Sequence, residues 1–227
     1  NAFRDALTEK TKLIICTHAS NVLGICLPIE RIAALGHIYG IPIAIDCAQS
    51  AGIIPVDMED GKFDYLCIAG HKGLYGPMGT GMLITKDGSE LDTIIEGGTG
   101  TASDSLDQPV TMPDRMESGT PNMSGIAGLR AGIGFVQRKG IQNIFNHEMS
   151  LINYLYKKLS GMKGIKLYTS EPKFPYFVPV LSFNVGDVSS EVIASKLNDR
   201  GISVRSGLHC APSAHDYIGT LEQGAVR

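Results

Sequence analysis

A strand, a helix and a second strand follow one another within the first fifty residues, and that order narrows the fold more than any other feature. Lys12 to Thr17 (KLIICT) is a short apolar run with the look of a buried strand. Pro28 to Gly40 carries Ile29, Ile32, Ala33 and Leu35 at helical spacing, with Pro28 suited to the first turn and Gly40 to the stop. Pro42 to Asp46 (PIAID) is the next strand and ends on a carboxylate. A strand–helix–strand unit of this spacing implies a parallel sheet with a right-handed crossover. Phe63 to Ile68 (FDYLCI) and Gly81 to Thr85 (GMLIT) read as further strands.

Between those last two strands lies AGHKGLYGPMGTG, Ala69 to Gly81, with one lysine, one histidine and five glycines. Lys72 stands just past a strand end, where open α/β sheets place their ligands. Taken alone, the loop reads more simply as a glycine-rich surface turn with a solvated lysine. Asp46 ends another strand and Gln49 follows three residues later; by itself this aspartate is equally a cap or a turn residue. The pair Lys72 and Asp46 has a sharper meaning. Pyridoxal phosphate needs a lysine to hold its aldehyde and a carboxylate to keep its pyridine nitrogen protonated, which makes the ring an electron sink. Gln49 can then hydrogen-bond the ring oxygen and His71 can contact the phosphate.

The chain has 227 residues, 43% of them hydrophobic and 19% charged, enough for a sizeable core in one large or two modest domains. A net charge of −3, with no basic run, gives no electrostatic case for nucleic acid. No apolar stretch reaches membrane-spanning length; Ile41 to Val56 is interrupted by Asp46, Gln49 and two prolines. The first residues are not a signal peptide and lead almost directly into a strand. Five cysteines without a CxxC pair indicate neither a disulfide framework nor a zinc knuckle. A reducing, cytoplasmic setting follows. Cys16, Cys47 and Cys67 read as core residues.

From Glu96 to Asn122 the chain is rich in Gly, Ser, Thr and Pro, a long irregular stretch of the kind that carries function or is disordered. Helices are predicted over 124–139, 141–160 and 189–200, and strands over 163–168, 178–184 and 202–205, with a loop over 206–217. The first part is thus α/β with a mainly parallel sheet, and the last part α+β. The division falls near residue 140, giving a large domain over 1–140 and a smaller one over 141–227.

Five segments occur in order: ASNVLG around Asn21, IDCAQSAG around Asp46, AGHKGLYGPMGTG around Lys72, ESGTPN around Thr120 and VRSGLHCAP around Cys210. Together they resemble the class V aminotransferase family of pyridoxal-phosphate enzymes, above all its cysteine desulfurases and selenocysteine lyases. The resemblance implies a Schiff base and proton shuttle at Lys72, with Asp46 on the pyridinium nitrogen, Gln49 on the ring oxygen and His71 on the phosphate. It implies that Asn21 lies beside the substrate carboxylate, that Arg205 lies near the entrance, and that Arg227 holds that carboxylate. Thr120 would reach the cofactor of a partner subunit in a homodimer. Cys210 would attack the sulfur of L-cysteine, or the selenium of L-selenocysteine, and pass it to an acceptor protein. Relatives often carry a serine where Ala69 stands and a polar residue at Leu208, and they extend beyond both ends of this sequence, so the chain reads as an internal fragment.

Most free cysteines are only small apolar residues. Cys210, in a polar loop with Arg205 and His209 near it in sequence, is instead placed where a thiolate is favoured. An aminotransferase, lyase or epimerase of the same fold would need no such thiol, and a truncated scaffold in sulfur trafficking would need no complete site. His209 and His215 lack a third metal ligand and read as solvated loop residues.

Overall fold

The computed structural model describes residues 2–101 and 104–227. A four-stranded sheet forms its centre, in the order β1 (Ile14–Thr17), β2 (Ile43–Asp46), β3 (Tyr65–Ala69), β4 (Gly81–Thr85). β1, β2 and β3 are parallel; β4 runs antiparallel to β3 and closes the edge. The predicted crossover is present: α2 (Ile29–Ile38) joins β1 to β2. Its buried stripe, Ile29, Ile32 and Ala33, packs with Ile14, Cys16, Ile43, Ile45, Cys47, Phe63 and Leu66 into one apolar cluster. Side chains alternate along a strand, so the register Thr17–Asp46–Cys67–Leu83 sets these four on one face, and all four are exposed. Cys67 therefore is not a core residue: it shares the face of Asp46 rather than that of α2. Cys16 and Cys47 are buried as expected.

The chain enters through a helix, α1 (Ala2–Ala6), rather than a strand. A one-turn helix, α3 (Met58–Gly61), precedes β3, capped by Asp57, whose side chain accepts from the amides of Glu59 and Asp60. The described residues between Glu96 and Asn122 are irregular apart from a 3-10 turn at Asp114–Met116. Then come α4 (Met123–Lys139) and α5 (Ile141–Ser160), separated only by Gly140 at φ +80°. A two-stranded antiparallel ribbon follows, β5 (Ile165–Leu167) with β6 (Phe183–Val185), then α6 (Ser190–Asn198) and α7 (Pro212–Ile218).

Three differences from the sequence reading stand out here. The apolar run 178–184 is mostly not a strand, because the amide of Val178 donates to the carbonyl of Gly24 and only Phe183–Val185 finds a ladder partner. Residues 202–205 form no strand, although Arg205 exchanges two backbone hydrogen bonds with Arg227, at 2.9 and 2.8 Å. The predicted loop 206–217 contains α7. The two ends of the chain are stitched together at the turn after β1: the buried hydroxyl of Ser182 donates to the carbonyl of Val22 at 2.6 Å, and Cys26 donates to Tyr176 at 2.8 Å.

Candidate active site

β2 carries Asp46 to the carboxyl edge of the sheet. The amide of Ala48 donates to Asp46 Oδ1 at 2.8 Å, which fixes the plane of the carboxylate. No other hydrogen bond among the described residues engages that carboxylate. The amide of Cys47 donates to the carbonyl of Cys67 at 2.8 Å, so the turn bearing half-buried Gln49 leaves the sheet beside β3.

β3 ends at Ala69, and Lys72 follows within a tight turn. The amide of Gly70 donates to the carbonyl of Thr80, that of Gly76 to Gly70, and that of Tyr75 to Lys72. The loop is wedged from two sides. On one, a Cβ on Gly52 would overlap the carbonyl of Gly73, so the turn after Asp46 and the turn bearing Lys72 touch backbone to backbone. On the other, Gly125, Gly128 and Gly132 of α4 face Thr80, Pro77 and the carbonyl of Leu74; a Cβ on Gly132 would overlap that carbonyl, and one on Gly128 would press on the Pro77 ring at 3.0 Å. Lys72 and His71 are exposed, and Lys72 makes no ion pair among the described residues.

A second group gathers around the turn after β1. The amide of His18 donates to the carbonyl of Asp46 at 2.9 Å. Three residues on, Asn21 donates through Nδ2 to the carbonyl of His209 at 2.6 Å and accepts at its own carbonyl from Arg227 Nη1 at 2.8 Å. Three residues of chain span at most about 11 Å, so Asp46 and the Asn21–Arg227 contact lie at one end of the sheet. Cys210 is exposed next to His209, and both adopt left-handed backbone, φ +58° and +51°. Burial lowers the Arg227 pKa and the Arg205 charge lowers it further, while a charge on Cys210 raises it. Asn21, Arg205, Cys210 and Arg227 thus form one cluster. Thr120 does not join it; it sits exposed in the turn ahead of α4.

The other thiols are poor nucleophiles. Burial pushes Cys16, Cys26 and Cys47 up to about 11, and burial and Asp46 raise Cys67. The expectation of solvated histidines at 209 and 215 fails. His215 is fully buried on α7, with Nδ1 2.7 Å from Thr220 Oγ1, and His209 Nε2 lies 3.0 Å from the carbonyl of Ala225. Sequence spacing carries no sign of these contacts, because they join a helix to a segment that has no regular pattern. The glycine stripe on α4 was visible as GIAGLRAG, three glycines on one helical face.

The fold and these residues define an open α/β protein that gathers a lysine, an aspartate, a thiol and two arginines at the carboxyl ends of its parallel strands. Over residues 1–227 it matches the family model described as Aminotransferase class-V. The chain belongs to this family of pyridoxal-phosphate-dependent enzymes. It is 36% identical to a probable cysteine desulfurase of Methanothermobacter thermautotrophicus, over 98% of this chain and 56% of that protein. It is also 36% identical to a cysteine desulfurase of Escherichia coli O157:H7, over 89% and 50%. Among solved structures it superposes on the apo cysteine desulfurase of Thermococcus onnurineus with TM-score 0.80 at 32% identity, covering 95% of this chain and 54% of that one. It superposes on the Escherichia coli cysteine desulfurase CsdA with TM-score 0.85 at 25% identity, covering 98% and 55%. The chain spans about half the length of the curated relatives it matches.

The residues present fit pyridoxal phosphate. Asp46 offers a carboxylate with one oxygen fixed by Ala48 and the other free. Lys72 offers an amine with no competing carboxylate among the described residues, and the Gly52–Gly73 contact sets the two turns at one fixed spacing.

Proposed function

We propose that the protein to which this chain belongs is a pyridoxal-phosphate-dependent cysteine desulfurase that converts L-cysteine to L-alanine and leaves a persulfide on Cys210. The observation that carries this reading is an exposed thiol, set in a left-handed turn, whose neighbour His209 is hydrogen-bonded to Asn21 and through it to Arg227. Reactions of the same fold that only move an amine have no use for it.

When bound, pyridoxal phosphate supplies an aldehyde for the substrate amine and a ring that accepts electrons. Lys72 would hold the aldehyde at rest, and Asp46 would keep the ring nitrogen protonated. Gln49 would meet the ring oxygen and His71 the phosphate. The Arg227 guanidinium suits the substrate carboxylate, since it offers parallel N–H donors, with Asn21 beside it and Arg205 toward the entrance. Lys72 would take the Cα proton and return it to Cα before alanine leaves. The Cys210 thiolate then attacks the substrate sulfur: an S–S bond forms, the Cβ–S bond breaks, and its electron pair remains on Cβ, which is protonated to the methyl group of alanine. L-Selenocysteine presents the same amine and carboxylate.

On the same reading residues 1–140 belong to a large cofactor domain and 141–227 to a small one. Thr120 serves the phosphate of a second subunit in a homodimer. The sulfur goes to an acceptor protein, and the enzyme works in the cytoplasm.

Two experiments test it. Borohydride reduction of the full-length protein with pyridoxal phosphate, followed by peptide mass mapping, is expected to give an adduct on Lys72; an adduct elsewhere, or none, overturns the cofactor assignment. Cys210→Ala is expected to abolish sulfur release from L-cysteine while leaving that adduct in place; sulfur release at the wild-type rate overturns the role of Cys210.

A further inference from the structure

His209 and Cys210 are consecutive non-glycine residues in left-handed backbone, φ +51° and +58°. L-residues avoid this region, and a run of two persists only where the surroundings over-determine it. His209 is held on three sides. Its Nε2 lies 3.0 Å from the carbonyl of Ala225, so a neutral ring carries its proton on Nε2 and donates it there. Its own carbonyl accepts from Asn21 Nδ2 at 2.6 Å. Its ring meets that of His215, with centroids 5.6 Å apart and planes tilted by 42°.

The backing is itself fixed. His215 is fully buried and paired through Nδ1 with Thr220 Oγ1, and the amide of Thr220 donates to the carbonyl of His215 at 2.8 Å. On the other side of the turn the amide of Gly207 donates to Ser190 Oγ at 3.1 Å, and its carbonyl accepts from Ala225 at 3.1 Å. None of these contacts involves the Cys210 sulfur. They constrain the residue before it.

We propose that His209 is the positioning residue for Cys210: it holds the thiol-bearing residue in the left-handed turn, beside Arg205 and Arg227, with buried His215 as its backing. The functional weight of this rests on Cys210 being the nucleophile, but the conformation can be read without any turnover. Replacing His209 by alanine removes the bond to Ala225 and the ring contact. Glutamine can place an amide N–H donor where Nε2 stood.

The test is the rate of Cys210 alkylation by iodoacetamide in the full-length protein loaded with pyridoxal phosphate, resolved from the other thiols by peptide mass mapping. Relaxing the turn takes the thiol out of the place its neighbours fix, so His209→Ala is expected to slow alkylation at least about fivefold, and His209→Gln to stay within about twofold of wild type. With L-cysteine as substrate, kcat is expected to fall in His209→Ala with KM unchanged, and to recover in His209→Gln. Wild-type alkylation in His209→Ala overturns the proposal, and so does a glutamine variant as slow as the alanine one. Should His209→Ala fail to fold, Thr220→Val reads the same device by freeing His215: slower alkylation supports it and an unchanged rate overturns it. If Cys210→Ala retains sulfur release, the nucleophile assignment fails while the alkylation comparison still decides the conformational one.

Discussion

Two glycine contacts set the spacing between the residues of the site. Gly52, at φ +81°, lies against Gly73 next to Lys72, and Gly224, at φ +65°, lies against Gly207 in the turn that leads to Cys210. In each pair a Cβ on one member would run into the backbone of the other. Gly52→Ala therefore faces both left-handed strain and a backbone clash, and is expected to cost about 2–3 kcal/mol. It should also lower the yield of the Lys72 adduct. Gly79 has a similar φ, +76°, but nothing within 4 Å of its missing Cβ. Gly79→Ala should cost about 1 kcal/mol and leave the adduct intact. Thermal denaturation beside borohydride trapping separates the two variants; equal adduct yields would rule out the contact as the spacer.

At the scale of elements, α4 sets the position of the lysine loop. Gly125, Gly128 and Gly132 let the loop approach, and Leu129, buried, fills the space beside Gly70 and Gly76. Leu129→Ala is expected to destabilise the fold by about 3 kcal/mol and to broaden the response of Lys72 to trapping reagents, read by denaturant titration and adduct mapping. The sequence was legible where local chemistry and tertiary structure agree. The bounds of α5 could be read directly because Gly140 and Gly161 bracket an amphipathic run. β1, α2 and β2 followed from spacing, and with them the strand-end positions of Asp46 and Lys72. It was not legible where the tertiary partner decides. The run from Val178 looks like a strand, yet its first amide pairs with the turn at Gly24. The short helix α7 looks like a loop, since it has only seven residues and takes its stability from burying His215 against Thr220. Cys67 looks like core until its register with Asp46 turns it outward.

Over the whole molecule, burial lowers the pKa of three histidines, His18, His209 and His215. His18 and His215 are lowered chiefly by burial; for His209 the charges of Arg227, His215 and Arg205 add to it, against the pull of the Ala225 carbonyl. A histidine lowered in the folded state binds fewer protons there than in the unfolded chain below its ordinary value of 6.5. Stability is therefore fully present above that pH and is lost as pH falls through it. The midpoint of urea denaturation is expected to drop between pH 7 and pH 5.5. His215→Gln should flatten that dependence, and a slope equal to wild type would show that His215 binds protons equally in the folded and unfolded states.

The hydrogen bonds at Asn21 carry one more consequence, for the order of assembly. They join residues 188 and 206 positions apart, whereas β1, α2 and β2 close within the first fifty. Contacts of such separation carry the largest loop-closure entropy and form slowly. In refolding from urea the parallel sheet is expected to gain amide protection before Asn21 and His209 do. The cluster of Asn21, His209 and Arg227 would then be the last part of the molecule to exist, and a chain released early from its ribosome or chaperone would already hold a folded sheet with that cluster still unmade.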